Sequence, residues 1–174
     1  MKAPRLTRYR AGRWAWAARL GLLMGLLGSS GCDRDRVFEE NHDLKDYVWR
    51  VAEKPAFTFA ITDTATRYNV YINVRTTTSY RFYNLFARLT LTGPDGQLVS
   101  RRLHEMNVRD PQTGKPLGDG SGDIFDNQFL ALRGVRFARP GAYRAELEQY
   151  MRLTTLPDVM DIGLRVARQP VAAR

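Results

Sequence analysis

The stretch Tyr68-Asn-Val-Tyr-Ile-Asn-Val-Arg75 alternates Tyr68, Val70, Ile72 and Val74 with Asn69, Tyr71, Asn73 and Arg75. A period of two sends successive side chains to opposite sides of a pleated strand, so this segment has one dry face and one wet face. The same period runs outward on both sides. Phe57, Phe59 and Ile61 alternate with Thr58, Ala60 and Thr62, and Leu85, Ala87, Leu89 and Leu91 stand opposite Phe86, Arg88, Thr90 and Thr92. Gly93-Pro-Asp-Gly96 presets a tight turn, and Gln97 to Leu103 returns from it as a hairpin.

Strand character resumes over Ile124 to Phe137, interrupted at Gly134, and again from Tyr143 to Met151. A helix over Ala142 to Arg152 is the alternative. Strict alternation behind Arg139-Pro-Gly141, with Gly141 at the position needing positive φ, favours a strand. Val37-Phe38 opens the series and Met160, Ile162, Leu164 and Val166 close it. About eight short strands separated by turn signals predict an all-β fold, an antiparallel β-sandwich with jelly-roll or Ig-like wiring. Trp49 is expected as a buried anchor where the chain enters that fold. His104 to Asp123 lacks alternation and is dense in Gly and Pro, which predicts a long loop of the kind more often functional than neutral.

The N-terminal segment obeys different rules. Met1 to Gly31 carries Lys2, Arg5, Arg8, Arg10, Arg13 and Arg19 and no acidic residue, then an apolar run from Leu20 to Leu27, then Gly28-Ser-Ser-Gly31. This is the pattern of a secretory signal peptide. The rival, a membrane-spanning helix, would have only Leu20 to Cys32 to work with, about 20 Å at 1.5 Å per residue against a bilayer core of about 30 Å. Cys32 is the single cysteine of the chain and follows Ser30-Gly31 directly, which points to cleavage before a lipid-modified thiol; the third residue before it is Ser29, with the nearest leucine at Leu27. The alternative is an ordinary signal peptide with an incidental cysteine. Two or three acyl chains hold a protein to a membrane firmly, whereas one does so only marginally.

Three segments follow from this reading. Residues 1–31 are a signal peptide that is cleaved, 32–46 a lipidated N-terminus and short tether with the first strand, and 47–174 a single β-sandwich domain. The formal charge of +9 comes largely from the leader: with its six basic residues removed, 21 basic residues face 18 acidic ones, a balance of +3. No basic stripe interleaved with aromatics is present in the body, so nucleic acid is excluded as a partner.

The body displays little chemistry. No Gly-x-Ser-x-Gly elbow, His-Glu-x-x-His or phosphate-binding loop occurs, and the two histidines are His42 and His104. Asp119, Asp123 and Asp126 are weak candidates for a hard cation, without the order of a calcium loop, so no metal and no cofactor are expected. Glu146 and Glu148 share one side of a strand, which an exposed sheet face explains as well as a carboxylate pair does. Tyr71, Asn73 and Arg75 share the wet face of their strand and, with Tyr80 and Asn84, form a candidate partner surface. Arg75 is expected to pair with a carboxylate such as Asp63. Tyr80, Phe82 and Tyr83 are a candidate platform for a sugar, and His104 beside a carboxylate would point to a hydrolase.

Seven motifs in order carry a resemblance: Val37-Phe-Glu-Glu40, Phe57-Thr-Phe-Ala-Ile-Thr-Asp63, Tyr68 to Arg75, Tyr80-Arg-Phe-Tyr-Asn-Leu85, Gly93-Pro-Asp-Gly96, Gly118-Asp-Gly-Ser-Gly-Asp-Ile124, and Gln149-Tyr-Met-Arg152 followed by Asp161-Ile-Gly-Leu-Arg165. Together they resemble the gliding motility lipoprotein family GldH. The resemblance implies a lipid-anchored protein of the cell envelope, at the outer membrane, that belongs to the gliding machinery and its type IX secretion and works without enzymatic activity among other envelope proteins. The family supplies no catalytic residues, and Cys32 alone corresponds to a position of understood chemistry. A glycan-binding surface lipoprotein is the alternative.

Overall fold

A computed structural model describes residues 33–170. Met1 to Cys32, and with them the expected signal peptide and lipid site, lie outside the described residues. Eleven strands follow one another: β1 (Arg36–Asp43), β2 (Val48–Arg50), β3 (Ala56–Ile61), β4 (Tyr68–Thr77), β5 (Asn84–Thr92), β6 (Leu98–Asn107), β7 (Asp119–Ser121), β8 (Ile124–Val135), β9 (Gly141–Gln149), β10 (Thr155–Pro157) and β11 (Val159–Arg168). The eight expected strands correspond to the eight longer ones. The count rises to eleven because β2, β7 and β10 have three residues each, too few for a period to show.

One sheet, here sheet A, has the order β1-β11-β4-β8-β7, and the other, sheet C, has β3-β9-β5-β6. All their pairings are antiparallel. Among the eight long strands, the first pairs with the last (β1 with β11), the second with the seventh (β3 with β9), the third with the sixth (β4 with β8) and the fourth with the fifth (β5 with β6). This is one long hairpin wrapped into two layers, the wiring of a jelly roll, and it decides between the two wirings the sequence allowed. A separate ribbon pairs β2 with β10 and sets Trp49 opposite Leu156, both fully buried. The indole Nε1 donates to the Glu53 carbonyl at 3.0 Å, so the ring is buried without an unpaired polar atom.

Burial follows the alternation. β3 reads exposed, buried, exposed, buried, exposed, buried, with Phe57, Phe59 and Ile61 inside. Tyr68, Val70, Ile72 and Val74 of β4 meet them from the other layer, and Leu85, Ala87, Leu89 and Leu91 of β5 complete the dry space. One end is sealed by rings: Phe137 lies 4.5 Å from Tyr143, 5.3 Å from Tyr68 and 5.9 Å from Phe59 between centroids, mostly edge to face. Ala142 onward is a strand, as its alternation requires.

The turns behave as their residues dictate. Gly96 N–H donates to the Gly93 carbonyl at 2.9 Å, closing the β5–β6 hairpin. Gly141 has φ +138°, and a Cβ there would stand 2.7 Å from Pro94, so backbone conformation and close approach both demand glycine. Two expectations need correction. The first strand is not confined to Val37-Phe38 but spans eight residues as an edge of sheet A. The loop expected from His104 begins only after Asn107, because His104–Asn107 pairs with Asn84–Ala87 as the end of β6. Asp110 organises what remains of the loop, its Oδ1 accepting from the N–H groups of Gln112 and Thr113 and from the Thr113 hydroxyl.

Candidate functional site

The wet face of β4 looks out from sheet A, and the strand registers set five charged residues side by side across it. Asp43 of β1 faces Asp161 of β11, Asp161 faces Arg75 of β4, Arg75 faces Asp126 of β8, and Asp126 faces Asp119 of β7. Four carboxylates thus flank one guanidinium. Arg75 Nε donates to Asp126 Oδ1 at 2.6 Å and Nη1 lies 3.0 Å from Asp161 Oδ2. Asp161 is buried, and that burial raises its carboxyl above the usual carboxylate range; Arg75 opposes the rise, while Asp126 and Asp43 add to it.

The next row is built from amides. Gln128 Nε2 donates to Asn73 Oδ1 at 3.0 Å, and Asn73 Nδ2 is shared between Glu39 Oε1 at 3.1 Å and Asn41 Oδ1 at 3.3 Å. Asn41 lies over Gly163, where a Cβ would meet its Oδ1 at 1.8 Å. Glu39 Oε2 in turn takes Arg165 Nη1 at 3.0 Å. The two rows enclose a polar groove of about 270 Å³. Its side chains are donors and acceptors held in fixed register by five strands, suited to reading a polar partner surface.

Of the expected partner surface, Tyr71, Asn73 and Arg75 do share this face. Tyr80 and Asn84 do not. Tyr80 is 1% exposed, its hydroxyl donating to the Asn84 carbonyl at 2.9 Å, and burial raises its phenol well above the ordinary value. Asn84 is buried in sheet C and donates to Glu105 Oε1 at 2.7 Å. Arg75 pairs with Asp126 and Asp161 instead of Asp63, because it stands at the far end of β4 from the turn that holds Asp63, in register with those two aspartates. Asp63 instead caps that turn, accepting from the N–H groups of Ala65 and Thr66 and from the Thr66 hydroxyl at 2.5 Å, which hold its carboxyl below the usual range.

Asp119, Asp123 and Asp126, the weak candidates for a hard cation, each have a different setting. Asp126 is engaged by Arg75, Asp123 accepts from the Thr78 hydroxyl at 3.4 Å in the β7–β8 turn, and Asp119 stands on the edge strand. The three-ring platform does not form either, since Tyr80 is in the core with Phe82 packed edge-on against it at 5.8 Å, leaving Tyr83 outside. His104 faces the inner side of sheet C beside Ala87, and its Nε2 is buried with no hydrogen-bond partner among the described residues. Burial, then Arg102, holds its imidazole below the ordinary value. Glu146 and Glu148 are each held in ion pairs on the sheet face: Glu146 meets Arg144 at 2.9 Å, while Glu148 is gripped by Lys54 at 2.5 Å and by Arg88 Nε at 2.6 Å.

Sequence reasoning missed a second feature, a largely apolar groove of about 550 Å³ on sheet C lined by Phe82, Phe86, Leu103, Tyr150, Met151 and Leu153, with Arg152 among them. Its residues come from three separate segments, so no local pattern announced it.

Fold and site together define a class: a two-layer jelly-roll domain that presents an ion-paired polar face on one sheet and an apolar groove on the other. The chain belongs to the GldH lipoprotein family, whose model matches residues 36–166, from β1 into β11. It is 28% identical over 146 residues to a gliding motility lipoprotein GldH homolog of Christiangramia forsetii, covering 80% of this chain and 88% of that one. It is 26% identical over 155 residues to the gliding motility lipoprotein GldH of Flavobacterium johnsoniae, covering 85% of this chain and 94% of the relative. Among solved structures, a chain of the infectious bursal disease virus T13 particle aligns with 78% of this chain and 32% of its own length, at 17% identity and a TM-score of 0.35, a likeness that carries no argument.

Proposed function

We propose that this chain is a lipid-anchored, non-enzymatic lipoprotein of the cell envelope that acts as an interaction module of the gliding machinery and of the type IX secretion tied to it. The observation that carries this reading is the family match from β1 into β11, with both relatives named gliding motility lipoproteins. Cys32 supplies the thiol for the lipid, and the outer membrane is the surface it holds to, through acyl chains such as palmitate. The partners are other envelope proteins of the same apparatus, met through Tyr71, Asn73 and Arg75 on sheet A. Glycan binding, the other reading, loses its support with the burial of Tyr80.

Photo-crosslinking in intact envelopes from position 73, with position 80 as a buried control, tests the assignment. Capture of gliding or type IX secretion components from 73 and not from 80 is the expected result. Recovery of no such component from 73 would count heavily against it, and Cys32→Ala protein that stays in the membrane fraction would remove the anchor.

A further inference from the structure

Sheet A carries opposite charge at its two ends. At one end the row Asp43, Asp161, Arg75, Asp126 and Asp119 crosses the sheet. At the other, register brings together the start of β1, the end of β11, the start of β4 and the end of β8, through Arg36↔Ala167, Arg168↔Tyr68 and Tyr68↔Val135. This second end and the turns that close it carry exposed Arg36, Arg67, Arg133, Arg136, Arg139 and Arg168. Strands of ten residues at about 3.3 Å each separate the ends by roughly 30 Å.

The acidic residues at the arginine end do not cancel it. Asp63 caps its own loop and its charge is met by Arg168, and Asp95 meets Arg139 at 3.0 Å. Asp35 adds a carboxylate there, and Arg36 reaches Glu39 at 3.3 Å. Arg67 donates to the Gly134 carbonyl, which leaves its charge uncompensated by that bond, and Arg133 and Arg136 are exposed without an ion pair among the described residues. The basic residues are arginine throughout. The three lysines of the body, Lys45, Lys54 and Lys115, lie in other segments, in the turn after β1, before β3 and in the loop after β6. Arginine presents a planar fork that grips phosphate oxygens in pairs, which a lysine cannot do.

Cys32 stands four residues before Arg36. A fully extended chain of that length spans at most about 14 Å, which limits how far a lipid on this thiol can be from Arg36. We propose that the jelly roll docks end-on onto an anionic phospholipid surface, with Arg67, Arg133 and Arg136 against headgroup phosphates and the aspartate row held about 30 Å away from the bilayer. The proposal rests on lipidation of Cys32 as stated above. The short tether keeps the arginines at high effective concentration over the headgroups, so contacts too weak to bind alone become occupied. The docked posture leaves the Asn73–Arg75 face standing clear of the membrane.

The test uses the full-length lipidated protein in vesicles of phosphatidylethanolamine with or without phosphatidylglycerol. Because Cys32 is acylated, a fluorophore can be placed at Thr64→Cys, in the turn before β4, or at Gln112→Cys, in the loop beyond β6, and energy transfer measured to an acceptor on a lipid headgroup. Transfer from 64 should exceed that from 112 several-fold on vesicles containing phosphatidylglycerol. The excess should shrink on phosphatidylethanolamine alone, in high salt, and in the combined variant Arg67→Gln, Arg133→Gln, Arg136→Gln. Each arginine near an anionic surface is worth roughly fivefold in occupancy. Equal transfer from the two positions, or an excess indifferent to lipid charge and salt, overturns the docking while the anchor stands. Protein that fails to float with the vesicles overturns the anchor and the docking with it.

Discussion

Arg75 and Asp161 face each other across β4 and β11, Nη1 to Oδ2 at 3.0 Å, with the carboxylate side chain 3% exposed and the guanidinium 37% exposed. The pair is unequal. Arginine remains charged whatever its surroundings, while the buried carboxylate sits in a row with Asp43 and Asp126 and titrates above the ordinary value of 3.8.

That raised value fixes a sign. Folding favours the protonated form of Asp161, so its stabilising contribution is fully present below 3.8 and is lost as pH rises through the raised value. Wild-type protein should gain stability across that window on acidification, and Asp161→Asn should not, as read by denaturant melts at a series of pH values. At neutral pH Arg75→Gln should cost about 1–3 kcal/mol, because a buried charge loses its partner. The double variant should cost less than Arg75→Gln alone. An Asp161→Asn chain that keeps the wild-type slope would sink this account.

Glu148 should show the opposite dependence. Burial pulls its carboxyl up, but hydrogen bonds and charge from Lys54 and Arg88 outweigh that and hold it below the ordinary value of 4.5. Its contribution is therefore present above 4.5 and lost as pH falls through the lowered value. Glu148→Gln should destabilise by about 1–3 kcal/mol at neutral pH. The gap between variant and wild type should close in acid. A gap that persists at the lowest pH at which both remain folded would contradict it.

Tyr80 separates core from surface. Its hydroxyl bonds the Asn84 carbonyl inside the sandwich, so Tyr80→Phe should cost about 1 kcal/mol and leave crosslinking from position 73 untouched. Loss of crosslinks with no loss of stability would return this ring to the partner surface.

These residues show what a sequence can display. The alternation of β4 and β5 was legible because the pleat forces it on any strand with one wet face. β6 was cut short at Leu103 because an edge strand with most of its residues exposed shows no alternation to read. The ribbon of β2 and β10 and the jelly-roll wiring depend on pairings between distant segments, to which no local pattern responds. Asp63 was expected as a carboxylate partner of Arg75 on the ground that Arg75 stands near a strand end, whereas sheet register supplied Asp161 and Asp126. The arginines at the Arg36 end of sheet A were lost in an overall charge count, since only the fold gathers them at one end.

Gly163 offers the sharpest steric test. It lies on β11 between Asn41 of β1 and Asn73 of β4, and a Cβ there would stand 1.8 Å from Asn41 Oδ1 and 2.8 Å from the Glu40 carbonyl. The side chain of Asn41 can rotate away, but the Glu40 backbone is fixed by the β1–β11 ladder. Gly163→Ala should therefore cost about 1–3 kcal/mol. Asn41→Ala should cost little by itself, its bond to Asn73 being exposed and 3.3 Å long. Combined, the two should recover part of the loss and not all of it, because the Glu40 carbonyl still blocks the methyl. Hydrogen exchange should place the damage: amides of β1 exchange faster in Gly163→Ala, while those of central β4 keep their protection. Strict additivity of the two substitutions, or uniform loss of protection across sheet A, would show that the glycine is required for something other than the close approach of Asn41.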